Sequence, residues 1–334
     1  VKTDLVLHQK YKDENGLLDF TDMLEQFNSE LDVDVCIFDE AQDLSSLQYK
    51  MAIQLSKAAH KVYIAGDDDQ AIFGWAGADV SKFLSLEGSR KILPRSYRTP
   101  SAIHKLSSSI VKRIRTRYNK EWQPRKEKGN VEWVAHEEEI NLSGSDTWML
   151  LSRSKFFLTR LKKICRQQGY GYKMYGQSSI DNEFTHAIES WEKLRRDTRI
   201  SVSEVKNLIR FISQKINLPT LKDYGIADLG FTTAAKQHDW MTVLREIPPE
   251  EREYLRACLR NGEKFGTDPR ILVSTIHQVK GGEADNVVLV TDMGKLSWLN
   301  STKDEEIRVW YVAITRARKN LFLIRPRTIK FFDI

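Results

Sequence analysis

"VDVCIFDE", residues 33–40, is a β-branched apolar run that ends on two acids, and its reading decides the fold. The segment after it, "DLSSLQYKMAIQLSKAA" at 43–59, changes period: Leu47, Met51, Leu55 and Ala58 recur on one face. Ser45 and Gln48 have capping-box spacing, so this segment reads as a helix with a defined start. "KVYIAGD" at 61–67 returns to a strand pattern. Strand, helix and strand in that order predict a parallel pair and an α/β class.

The alternation continues along the chain. "RKIL" at 90–93 reads as a further strand, and Thr99 with Pro100 reads as an N-cap followed by the first helical residue. "GNVEWVAH", "TWMLLS", "RILVSTIH", "NVVLV" and "NLFLI" supply later strands. Residues 179–265 interrupt the rhythm with helix-like segments, "FTHAIESWEKLRR" and "SVSEVKNLIRFISQKI", and no convincing strand. That stretch is expected to be a mostly helical insertion.

Composition bounds the class. At 334 residues, with 41% hydrophobic and 29% charged residues, the chain suits more than one globular domain. Its apolar runs are too short to span a bilayer. The first residues lack an apolar signal core and an initiator methionine, so the expectation is a cytoplasmic protein, nucleoid-associated or phage-encoded, and a chain that starts partway through a longer one. Cys36, Cys165 and Cys258 are widely separated and fit buried thiols rather than a disulfide framework or a zinc site. The net charge of +6 is concentrated: residues 105–128 hold nine Lys or Arg against two acids, and residues 153–173 hold seven against none. Tyr118, Trp122, Phe156, Phe157, Tyr170 and Tyr172 interleave with these runs. The alternatives are solvated helical faces or a surface for a polyanion whose bases stack on aromatic rings.

Chemistry begins where the first strand ends. Asp39 and Glu40 stand at its carboxyl end, where parallel sheets bind ligands. One such carboxylate can hold Mg²⁺ and its neighbour can deprotonate an attacking water. "AGDDDQAIFGWAGAD" at 65–79 then places three aspartates, a glutamine and a glycine-flanked tryptophan in one loop.

"DEAQD" followed by "GDDDQAIFGWAGA" resembles the second and third motifs of superfamily 1 helicases of the UvrD and Rep type. "ILPRSYRTP" resembles their fourth motif, "STIHQVKGGEADNVVLV" their fifth and "EEIRVWYVAITRARKNLFLI" their sixth, in the family's order, while "GLLDFTDML" at 16–24 also fits. The resemblance implies two RecA-like parallel-sheet lobes, the first incomplete, with the helical insertion in the second and ATP bound between the lobes. Expected limits are 1–98 for the first lobe, 99–178 with 266–334 for the second, and 179–265 for the insertion.

The same resemblance implies roles. Asp39 would hold Mg²⁺ and Glu40 would be the catalytic base. Gln70 would sense the γ-phosphate, and Trp75 would stack on a base of single-stranded DNA. Tyr97 would stack on adenine, and Arg98 and Arg316 would reach the γ-phosphate, Arg316 as an arginine finger. Such fingers are worth about 10³–10⁵ in rate. Glu283 would contact the ribose, and Thr275 and His277 the DNA backbone or its link to the ATP site. His277 equally suits a structural role. Two positions depart from the family. Ala76 stands where Arg is common, which puts one polar contact in doubt, and Gly282 stands where Leu is usual, which suggests a more flexible loop.

No G-x-x-x-x-G-K-[ST] phosphate loop occurs in the sequence. Two explanations stand: a fragment of an ATP-dependent 3′–5′ DNA helicase or translocase, or a descendant that binds nucleic acid or a partner without hydrolysing ATP. A helicase fused to a nuclease outside this segment is a third. Either of the first two predicts little or no ATPase activity from this chain alone. Expected partners are single-stranded DNA and duplex junctions, with no membrane and an unidentified loading protein.

Overall fold

The computed structural model describes residues 2–29 and 32–334, which form two compact units. The first comprises residues up to 127 together with 299–315, and the second comprises 128–298 together with 316–333.

In the first unit, β1 (Val35–Phe38) and β2 (Lys61–Ile64) pair in parallel, with Cys36 opposite Val62 and Ile37 opposite Tyr63. The helix Ser46–Leu55 joins them, and its start is the expected capping box: the Gln48 amide N–H donates to the Ser45 hydroxyl at 3.2 Å, and the Ser45 N–H donates to Gln48 Oε1 at 2.8 Å. "RKIL" forms no strand. The next helix is Ser101–Val111, with Pro100 rather than Thr99 at its N-cap. The hydroxyl of Ser96 accepts from the backbone N–H groups of Arg98 and Thr99, so the chain turns into the helix around a serine that the sequence pattern did not single out.

The second unit is built on a seven-stranded sheet. Its strands are β3 (Asn130–Val134), β4 (Trp148–Ser152), β5 (Tyr172–Met174) and β6 (Gln177–Ser178), followed, after the short pair β7 (Ile200–Ser201) and β8 (Asp223–Tyr224), by β9 (Ile271–Thr275), β10 (Ala284–Val290) and β11 (Ala317–Ile324). The order is β3-β11-β10-β4-β9-β5-β6, parallel except for the β5–β6 pair. β10 is an interior strand between β11 and β4, with Leu289 opposite Leu323 on one side and Leu151 on the other. Its residues Val287 to Val290 are fully buried, as a parallel strand covered on both faces requires. The α/β class with mostly parallel sheets is the observed architecture.

Between β6 and β9, helices Asn182–Arg195, Val202–Leu208 and Pro249–Arg260 enclose a separate apolar core that includes Trp191, Val205, Leu208, Leu244 and Leu255. The β7–β8 pair is a small antiparallel ladder that the helical reading of this segment lacked.

The units divide the chain differently from the expected limits. The first boundary falls at 127 rather than 98, and the helix Asp304–Ile314 belongs with the first unit. The reason is polar. Arg308, 3% exposed, donates from Nε to the Asp68 carbonyl at 2.7 Å and from Nη2 to the Thr116 carbonyl. Asp304 accepts from the backbone N–H groups of Arg115 and Thr116 at 3.0 and 2.7 Å.

Cys36, Cys165 and Cys258 are buried free thiols. Among the described residues no helix is long and apolar enough to cross a membrane.

Trp191 is fully buried, and its indole N–H donates to the His238 carbonyl at 3.1 Å. Trp191→Ala is expected to destabilise the second unit by about 3–5 kcal/mol, from the cavity and the orphaned carbonyl together. Urea unfolding followed by far-UV circular dichroism measures this. A loss below about 1 kcal/mol would mean that the helical segment does not depend on this core.

Candidate functional site

Asp39 and Glu40 follow β1 directly and are both exposed. Glu40 is held at φ 52°, a left-handed backbone conformation uncommon for a side chain of this size. Its backbone N–H donates to Asp39 Oδ1 at 2.8 Å, which orients the Asp39 carboxylate. Gln42, fully buried, donates from Nε2 to Glu40 Oε2 at 2.5 Å and accepts on Oε1 from the Asp67 N–H at 2.9 Å. Gly66 makes that approach possible, since a Cβ there would sit 2.5 Å from Gln42 Oε1 and 2.9 Å from the Phe83 ring.

The three aspartates of the second loop are bound to basic side chains. Lys120 places Nζ 2.9 Å from Asp67 Oδ1 and 3.0 Å from Asp69 Oδ2, and it also contacts Asp68. Arg117 forms a two-pronged pair with Asp69 at 2.9 and 2.7 Å. The Tyr118 N–H donates to Asp68 Oδ2 at 2.8 Å. Asp68 and Asp69 are 2% and 1% exposed, so this is an interior ion cluster. Three carboxylates this close would suit a metal ion, but the lysine ammonium already holds the position such an ion would take. Burial works against the charge on Lys120, yet the aspartates outweigh it and raise its pKa above the ordinary lysine value. Two members of the first basic run, Arg117 and Lys120, are therefore internal partners and not part of a surface for a polyanion. In the second run the same holds for Arg160, paired with Glu137 and Asp292, and for Arg166, paired with Glu251.

Gln70 sits at the end of the cluster, with its Nε2 donating to Asp67 Oδ2 at 2.7 Å. Gln70 and Arg98 line one cavity of about 780 Å³ together with Asp67, Thr99, Lys120 and Thr315. Its volume is in the range of small-molecule sites. Tyr97, 82% exposed, is not among its lining residues; the Arg95 guanidinium lies 5.5 Å from its ring centre.

Five residues beyond Gln70 on the same loop, Trp75 is 73% exposed, the opposite of a core tryptophan. A one-turn helix, Gly74–Ala76, presents it, with Gly77 at φ 95° closing the turn. The Trp75 N–H donates to Glu305 Oε1 at 3.3 Å, and a Cβ on Gly74 would press on that carboxylate at 3.0 Å. Ala76 is exposed on the same turn.

In the second unit, Thr275 is the last residue of β9 and His277 lies in the short turn of helix that follows it. Thr275 is 8% exposed and turns its hydroxyl to Gln278 Oε1 at 3.0 Å. Burial, with the charge of Arg153, pulls the His277 pKa down to about 4, so at neutral pH it carries no positive charge to offer a phosphate. Arg316 is 1% exposed and donates from Nη1 to the Gly282 carbonyl at 3.0 Å. Glu283 pairs with Arg318 at 3.0 Å. At Gly282 a Cβ would meet Met149 Cε, the end of a flexible side chain, at 2.8 Å and the Val279 carbonyl at 3.3 Å.

The residues that sequence reasoning missed are Gln42, Lys120, Arg117 and Arg308. Gln42 stands inside a quoted motif, but nothing in its neighbours signals its burial. Lys120 and Arg117 lie about fifty positions from their partners, where no local pattern links them.

Comparison with known proteins points one way. A family described as "UvrD-like helicase C-terminal domain" matches residues 153–328, and "UvrD/REP helicase N-terminal domain" matches residues 2–91. DNA helicase II of Rickettsia typhi is 24% identical over 335 residues, covering 87% of this chain and 48% of that protein. ATP-dependent DNA helicase Rep of Buchnera aphidicola is 24% identical over 233 residues, covering 63% and 34%. F-box DNA helicase protein 1 of Schizosaccharomyces pombe is 25% identical over 315 residues, covering 87% and 34%. The chain thus spans between a third and a half of these curated relatives. An arterivirus nonstructural protein 10 helicase structure is superposable over 88% of this chain and 39% of that one, at 13% identity and a TM-score of 0.39.

The lowered His277 pKa has a sign. Unfolded, the imidazole takes its proton near pH 6.5; folded, only near 4. Between those values the unfolded chain binds more protons, so stability falls as the pH drops through this window. His277→Gln is expected to flatten that part of the dependence, checked by urea unfolding at pH 7 and pH 5. Equal slopes in the two proteins would rule out a neutral, buried histidine.

Proposed function

We propose, from the premise that this chain belongs to the UvrD-like family of DNA helicases, that it forms part of an ATP-dependent motor that moves 3′ to 5′ along single-stranded DNA and opens duplex junctions. The observation that carries the reading is a single loop that ties Gln70 through Asp67 and Gln42 to Glu40 and, five residues on, exposes Trp75. An amide in that place suits a phosphate, and an open indole face suits a base of any identity.

The residues at hand fit a magnesium nucleotide. Asp39, exposed at the end of β1, would hold Mg²⁺, and Arg98 together with the donor amide of Gln70 gives the cavity groups suited to phosphate. When bound, ATP supplies the phosphoanhydride whose hydrolysis drives movement. Glu40 takes the proton of the attacking water at its carboxylate. Gln42 orients that carboxylate by donating to Oε2. Trp75 holds a base by stacking, without reading its identity. Arg316 as the second arginine, Glu283 and Tyr97 toward the nucleotide, and Thr275 and His277 toward DNA are the further assignments that family membership suggests. For His277 the assignment is to a neutral ring, which can hydrogen-bond to a phosphate but cannot pair with its charge.

The test is fluorescence anisotropy with a labelled oligothymidine, across a salt series. Binding that weakens with salt is expected, and Trp75→Ala should lower affinity about tenfold, the scale of one lost base stack. Unchanged affinity in Trp75→Ala would remove this tryptophan from the DNA track. With no phosphate-loop pattern in its sequence, the 334-residue chain alone is expected to hydrolyse ATP poorly or not at all, with or without DNA. Substantial DNA-stimulated hydrolysis by it would overturn that part.

A further inference from the structure

Two side-chain amides in the first unit have their orientation dictated by what they face. Gln42 meets the Asp67 backbone N–H, which can only donate, so its carbonyl points there and its NH₂ points to Glu40. Gln70 meets the Asp67 carboxylate, which when ionised can only accept, so its NH₂ points there. The second condition holds only while Asp67 keeps its charge. Burial opposes that charge, but the Lys120 ammonium and the hydrogen bonds from Gln70 and Lys120 win, and the Asp67 pKa lies below the usual carboxylate range.

Lys120 reaches this point from outside every sequence motif, and its side chain is 14% exposed. It touches all three aspartates, while Arg117 holds Asp69 and Arg308 holds the Asp68 carbonyl. The loop backbone therefore has little room to let Asp67 turn away. Asp67 is bonded through its backbone toward Glu40 and through its side chain toward Gln70.

We propose that Lys120, Asp67 and Gln42 are positioning residues: they form a relay that locks the Gln70 amide with its NH₂ held by Asp67 and aligns the Glu40 carboxylate with it, so that base and sensor move as one. The proposal rests on the assignment of Glu40 and Gln70 to the nucleotide. It adds that their geometry is set by a lysine outside every sequence motif. One amide hydrogen of Gln70 is held by Asp67, which fixes the plane of the amide.

The experiment is NMR of the deuterated chain labelled with ¹⁵N-glutamine, with the Gln42 and Gln70 NH₂ pairs assigned by Gln42→Glu and Gln70→Glu. In the wild-type chain both pairs should exchange slowly with solvent. Asp67→Asn keeps the shape but removes the obligate acceptor, so the Gln70 pair should move and exchange about tenfold faster or more, the scale of a lost charge-assisted bond. Lys120→Met should act in the same direction, and Lys120→Arg should restore the wild-type pair. Should Lys120→Met fail to fold, Asp67→Asn with Lys120→Arg decides the matter. A Gln70 pair at its wild-type position and exchange rate in folded Asp67→Asn overturns the relay. Titration with millimolar magnesium ATP separates the two claims. A wild-type Gln70 pair that ignores the nucleotide overturns the assignment of Gln70, while the ligand-free spectra still score the relay. A wild-type pair that shifts, with the same half-saturation in Asp67→Asn, keeps the assignment and sinks the relay.

Discussion

A lysine ammonium among three aspartates is the interaction on which the first unit's chemistry depends. Lys120 and Arg117 together face Asp67, Asp68 and Asp69, and Arg308 adds its bond to the backbone between them. Buried carboxylates without partners cost several kcal/mol each, and breaking one partnership in such a cluster typically costs about 3–5 kcal/mol. An apolar replacement of the whole cluster could be as stable. What it would not do is fix direction. Carboxylates accept, ammonium and guanidinium groups donate, and each amide between them has one orientation that satisfies both neighbours. The cluster is better understood as a device for orientation than for stability.

This accounts for how one loop could carry the two tasks proposed for it. The segment from Asp67 to Gln70 is clamped on three sides and its side chains are largely enclosed, whereas the turn that follows lifts Trp75 into solvent on a glycine hinge. Rigidity at one end and exposure at the other are both needed if a change at the amide is to reach the indole. Glu305, which accepts from the Trp75 N–H, sits on the same helix as Arg308, one turn away, so a single helix braces both ends of the loop.

The sequence was legible where the signal is local. The strand–helix–strand start, the capping box at Ser45, the late strands and the order of the motifs all come from neighbouring residues, and the α/β architecture followed from them. The readings that failed depended on distant partners. "RKIL" has the composition of a strand, but no strand pairs with it, and its residues line a cavity. The basic run at 105–128 read as a candidate surface for a polyanion because sequence cannot show that Lys120 and Arg117 already have anions. The helix Asp304–Ile314 falls within the second lobe in the limits the resemblance implies, whereas Asp304 and Arg308 tie it to residues near 68 and 116. Gln42 was visible as a letter in a motif and invisible as a contact.

The two units solve the same packing problem in different ways. The seven-stranded sheet buries β10 completely, so its geometry is held by apolar contact over the whole strand. The β1–β2 pair cannot be held like that. Ile37 is 70% exposed, Tyr63 55% and Val35 45% in this chain, which spans between a third and a half of its curated relatives. Two strands with little burial are a weak platform for placing a carboxylate to a fraction of an ångström. Polar groups supply positional information here: Tyr49 donates to the Ala41 carbonyl at 2.5 Å, Gln42 bridges the ends of both strands, and Lys120 anchors the second loop. Directional bonds from buried side chains such as Gln42 and Lys120 therefore share with the strands the task of setting the geometry of the proposed site.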